Sequence, residues 1–221
     1  MKNIAQSISW ILMPILMPIY ALIIVFYTES QEDYIFNENN FWNLPNEVKS
    51  SLIQLFFVFC VIAPGISFLL LKNRKFISSI EMDEKNERYL PIFIMGLYCA
   101  ALFYLLYIKT EGSILPKLIY LLPLSGAIIS FFSLFLNRFI KVSLHATGAG
   151  ILVGFIIAYF SFQEYFNFYI IPLCIFLSGL VLSSRYFLEK HSFKELGLGW
   201  VSGCFITFLC CKFPNIILFF L

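Results

Sequence analysis

Between Ser184 and Glu195 the chain reads SRYFLEKHSFKE, a polar break between two long apolar runs. The break holds an arginine, Arg185, a histidine, His191, and a carboxylate, Glu195, four positions after the histidine. On a helix, residues four apart share a face within hydrogen-bonding reach, so the spacing predicts a His191–Glu195 pair. A carboxylate that fixes the tautomer of an imidazole leaves the other ring nitrogen to act as nucleophile or base. An arginine nearby presents a planar fork of donors that matches the edge of a phosphate. The chain has only two histidines, and the second, His145, falls in a similar break, KVSLH.

The elements that must position these groups follow from composition. Of 221 residues, 60% are hydrophobic and 13% charged, against roughly 25% charged in an ordinary soluble domain. A core of this size cannot hide that much apolar surface, so the solvent of this chain is lipid. A helical span needs about 20 mostly apolar residues. The predicted fold is therefore all-α: a polytopic integral membrane helical bundle of six to seven transmembrane helices, one domain over residues 1–221. The apolar runs place spans at 8–27, 51–71, 90–108, 118–136, 146–162, 168–183 and 197–221, the last interrupted at Pro214. Pro14 and Pro18 bend the first, which is kept as a permanent helix because no small-residue cleavage site follows it.

The polar loop 28–50 is expected to lie on the headgroups, with Tyr34, Phe36, Phe41 and Trp42 at the interface. The small residues of ATGAG, from Ala146, favour close helix packing, so Gly148 and Gly150 read as packing positions rather than a phosphate loop. All six cysteines lie inside apolar runs without metal spacing and read as small packing residues. No cofactor, metal or nucleic-acid partner is expected.

Parity of crossings carries the geometry further. Two predicted spans separate Arg88 from His145, and two more separate His145 from His191, so the three polar breaks fall on one side of the membrane. Eleven of the 15 lysines and arginines lie on that side, and the positive-inside rule makes it the cytoplasmic one.

These residues resemble the type 2 phosphatidic-acid phosphatase (lipid phosphate phosphatase) superfamily, whose motifs read K-x6-R-P, P-S-G-H and S-R-x5-H-x3-D. The third is similar to Ser184, Arg185, His191 and Glu195, with Glu for Asp. The second is similar to Ser143-Leu144-His145, without its Pro and Gly. The first is similar to Arg88-Tyr89-Leu90-Pro91, with Glu81 at the place of the lysine. The resemblance covers residues 81–195. It implies metal-independent hydrolysis of a lipid phosphate or diphosphate: His191 as nucleophile, Glu195 as its orienting group, and His145 as acid and then base. Arg88, Arg185 and Ser143 would bind the phosphate, and Lys141, ahead of the alternative Lys85, would replace the absent lysine. The implied partner is a membrane lipid substrate in a bacterial inner membrane, with a second copy or a membrane-complex partner left open. Two other readings stand beside it: a catalytically inactive relative that binds lipid headgroups or serves as a membrane subunit, and, more distantly, a transporter or channel.

Overall fold

The computed structural model describes residues 2–32, 40–82, 84–110 and 115–215. Lipid offers no partner for backbone N–H and C=O groups, so a chain this apolar satisfies them within helices. Among the described residues nine α-helices form: α1 (Lys2–Ile11), α2 (Met17–Tyr27), α3 (Asn46–Phe57), α4 (Ala63–Asn73), α5 (Tyr89–Thr110), α6 (Leu118–Leu136), α7 (Leu144–Phe160), α8 (Ile170–Phe187) and α9 (Phe193–Lys212). Continuous helical stretches at 2–27, 46–73, 86–110, 118–136, 170–187 and 193–212 are each long and apolar enough to cross a membrane, and α7 is a shorter apolar helix of 17 residues. The protein is an all-α polytopic integral membrane bundle.

Prolines set the irregularities. Met13 is extended (φ −66°, ψ 145°) ahead of Pro14, because proline disfavours the helical conformation of the residue before it. The first predicted span, 8–27, is thus divided: α1 starts earlier, at Lys2, and ends at Ile11, and one 3₁₀ turn (Pro14–Leu16) leads into α2. Pro64 has no N–H to give to the carbonyl four residues back. A π turn over Val58–Ile62 absorbs the mismatch between α3 and α4.

The bundle is built around α7, of whose 17 residues 13 are buried. Its most intimate neighbour is α9. A Cβ added to Gly150 would come within 2.3 Å of the Trp200 carbonyl oxygen, one on Gly154 within 2.3 Å of that of Cys204, and one on Gly203 within 2.3 Å of that of Thr147. Both helices carry glycines four apart, the spacing that lets membrane helices touch backbone to backbone. A Cβ on Gly148 would come within 2.8 Å of Pro14. Gly148 and Gly150 therefore act in packing, and five of the six cysteines are buried.

Far from the histidines the structure corrects the expected headgroup loop. Phe41 is fully buried, stacked on Tyr159 and edge-on to Phe26. Its N–H donates to the Tyr159 hydroxyl, which also meets Ser30 Oγ at 3.0 Å. Residues 30–32 (β1) pair antiparallel with Gln163–Phe166 (β2), where only a turn is expected. Tyr34 and Phe36 lie outside the described residues, as do the last six residues of the predicted final span.

The glycine contacts make a sharp stability prediction. Gly203→Val forces side-chain atoms into the α7 backbone and should cost at least about 3 kcal/mol, the upper end of ordinary overpacking. A large drop in the thermal unfolding midpoint of the detergent-solubilised protein checks it. Gly179→Val, where a Cβ would meet nothing within 4 Å, is the control and should shift it little.

Candidate active site

The two breaks that hold the histidines become two helix starts. α7 opens at Ser143, whose Oγ accepts from the Ala146 N–H. α9 opens at Ser192, with the Ser192 side chain and Glu195 forming a reciprocal capping box. The two starts are tied together: the Ser143 N–H donates to the Glu195 carbonyl oxygen at 3.3 Å. A Cβ on Gly199 would sit 2.7 Å from the Ser143 carbonyl oxygen. The packing that joins α7 to α9 thereby brings His145 and His191 to one place.

His191 and Glu195 meet, but not on one helix face. His191 is the residue before the cap, and Glu195 folds back from the first turn. Glu195 Oε2 lies 3.2 Å from His191 Nδ1 and accepts from the Ser192 N–H at 2.9 Å. An ionised carboxylate is an acceptor only, so this contact places the histidine proton on Nδ1. His191 is buried, at 6% exposure. The Ser192-x-x-Glu195 spacing is itself a legible capping signal, and it explains why the pair is held at a helix start.

The turn that delivers His191 is tight. Predicted to end at 183, the helix α8 runs on to Phe187, so Ser184 and Arg185 belong to its last turn. The Glu189 N–H returns to the Tyr186 carbonyl oxygen and the Lys190 N–H to that of Arg185. This is the glycine-type helix stop, here with Glu189 at φ 55°.

A cavity of about 270 Å³ collects the cationic and imidazole groups. Its polar walls are Arg88, His145, Arg185, His191, Glu81 and Ser9. Arg185 Nη1 donates to Ser9 Oγ at 2.9 Å. His145 lies against the main chain of Ser9 and close to Arg185, His191 and Arg88. Arg88 is 3% exposed, with Nε on the Met82 carbonyl oxygen (2.8 Å) and Nη1 on that of Val142 (2.9 Å). It therefore clamps two interhelical loops as well as facing the cavity. Met82 itself has φ 50°, a conformation that costs about 1 kcal/mol or more for a residue with a side chain.

Three expected positions fall elsewhere. Ser143 is fully buried as the cap of α7, and Lys141 and Ser143 are not among the cavity walls. Lys85 donates to the Arg138 carbonyl oxygen at 2.9 Å. Glu81 does reach the cavity, and its Oε2 lies 3.1 Å from Lys190 Nζ. Ser9, Trp10 and Lys190 join the site or its rim without having been foreseen. Only the break before Pro14, which turns α1 back towards the site, leaves a mark in the sequence.

Glu189→Gly should stabilise the turn before His191 by about 1 kcal/mol, since glycine adopts positive φ without the cost a side chain incurs. A higher unfolding midpoint in detergent checks this. No family model, curated protein or solved structure matches the chain.

Proposed function

We propose that the protein is a membrane lipid phosphatase, a divergent relative of the type 2 phosphatidic-acid phosphatases, hydrolysing a lipid phosphate or diphosphate. The single observation that carries the reading is the convergence of two guanidinium and two imidazole groups on one cavity, with one imidazole held by a carboxylate. Phosphoryl transfer asks little of a protein beyond positioning and neutralisation of charge, and these are the groups that provide both.

In this reading Arg88 and Arg185 bind the phosphoryl oxygens. With Nδ1 engaged by Glu195, His191 attacks phosphorus through Nε2, and the P–O bond to the lipid breaks. His145 gives its proton to the departing oxygen. The same imidazole then takes a proton from water, whose oxygen attacks the phosphohistidine and releases phosphate. Glu195 stabilises the imidazolium character of His191 while the P–N bond exists. The charge bias of the loops supports a cytoplasmic site in a bacterial inner membrane, and so an inner-leaflet glycerophospholipid as substrate.

Two features favour a second reading, a lipid-headgroup binder without turnover. Glu81 places a carboxylate in the wall of the anion site, and Arg88 spends donors on backbone carbonyls.

The test is phosphate release from a panel of lipid phosphates in detergent, with chelator present. Wild type should turn over, and His191→Ala should lose on the order of a thousandfold or more, as loss of a nucleophile does. Turnover that requires added metal, or that survives in His191→Ala, overturns the mechanism. A folded protein that retains phospholipid but releases nothing supports the binder. Glu195→Gln is the finer probe, because glutamine keeps the capping box while removing the charge. It should lose roughly a hundredfold or more in kcat at a nearly unchanged unfolding midpoint.

A further inference from the structure

Behind the polar cavity lies a second one, of about 130 Å³, lined almost wholly by apolar groups from the turn before α2 and from α2 through α7. The two cavities share Pro14, Ile15, Phe68, Met82 and Leu144 as walls. Well-packed interiors leave few voids larger than a water molecule. Its walls include four prolines, Pro14 in the turn before α2, Pro18 in α2, Pro91 in α5 and Pro123 within α6, and Cys60 of the π turn, all places where regular helix packing is interrupted. Apolar cavities near this size, about 150 Å³, stay dry and take up a benzene-sized guest, so there is room for several methylenes of one chain. Met82, whose flexible thioether side chain suits a deformable partition, faces both spaces.

We infer that this inner cavity receives one hydrocarbon chain of an amphiphilic phosphate whose headgroup lies among Arg88, Arg185 and His191. The chain enters past Met82 between α2, α4 and α5. A two-chain lipid would leave its second chain in the bilayer. Only the choice of a phosphate headgroup rests on the proposed function; the chain site stands on an apolar void lying directly against a cationic one across a shared wall. A competing path exists on the other side of His191, where Ile4, Ile8, Leu180 and Phe187 form a groove between α1 and α8.

The experiment is photolabelling of the full-length protein in phosphatidylcholine vesicles with hexadecyl monophosphate carrying a diazirine near the chain end. Adducts are mapped by peptide sequencing, and hydrolysis of the water-soluble p-nitrophenyl phosphate is followed in parallel. Labels should fall on Cys60, Ile92, Met95 and Cys99. They should drop roughly tenfold or more in Arg185→Gln, which removes a charge-assisted headgroup contact. Met95→Trp, which fills the cavity, should abolish those labels and leave p-nitrophenyl phosphate hydrolysis unchanged. Labels on Ile4, Ile8 and Leu180, or spread over lipid-facing positions such as Leu69 and Leu70, overturn the inference. Inner-cavity labels that Met95→Trp leaves unchanged do the same. Inner-cavity labels without any hydrolysis would sustain the chain site and remove the phosphatase reading.

Discussion

Everything at the histidine end depends on how closely α7 and α9 approach. In lipid there is no hydrophobic force to press two helices together; contact comes from dispersion over surfaces that fit. Glycines at 150, 154, 199 and 203 remove the side chains that would hold the axes apart. The carbonyl oxygens of Thr147, Trp200 and Cys204 then lie where a Cβ would otherwise stand. One consequence is that two helix N-termini end side by side, joined through the Ser143 N–H and the Glu195 carbonyl. The two imidazoles are neighbours because of four absent side chains, only one of which, at Gly199, lies beside the helix starts that carry them.

Arg88 shows how fold and chemistry compete for one residue. A buried guanidinium has five donors to satisfy, and two of them hold the carbonyls of Met82 and Val142. That arrangement fixes the loop before α5 and the start of α7 in mutual register, and it also keeps a positive charge in the cavity wall. Glu81 opposes that charge: its carboxylate lowers the positive potential of the cavity, while Lys190 at 3.1 Å offsets it. Under the proposed function, a phosphate in the cavity would have to reorganise this pair or fit beside it.

Much of the architecture is legible in the amino-acid sequence because lipid imposes a single rule, that long apolar runs become helices. The parity of crossings needs only the count of those runs. Local chemistry at their ends is harder to read. Ser184 and Arg185 look like loop residues by polarity, yet α8 runs past them because the αL stop at Glu189 comes later. His191 and Glu195 suggest a helical i, i+4 pair, whereas the Ser192 cap claims the same carboxylate first. Phe41 carries every mark of an interfacial aromatic and is buried by contacts with residues more than a hundred positions away, which no local pattern encodes. Ser9 reaches the cavity for the same kind of reason.

That last contact bears on biogenesis. Ser9 and Arg185 are 176 positions apart, and a ribosome delivers the amino-terminal segment first. While α2 through α7 enter the bilayer, Ser9 in the wall contributed by α1 has no Arg185 to meet, and His145 waits without its partner histidine. The cationic pocket closes only when α8 and α9 arrive. A truncated or stalled chain therefore carries the fragments of the cationic pocket but never the pocket, which is complete only once α1 has docked against α8 and α9 against α7.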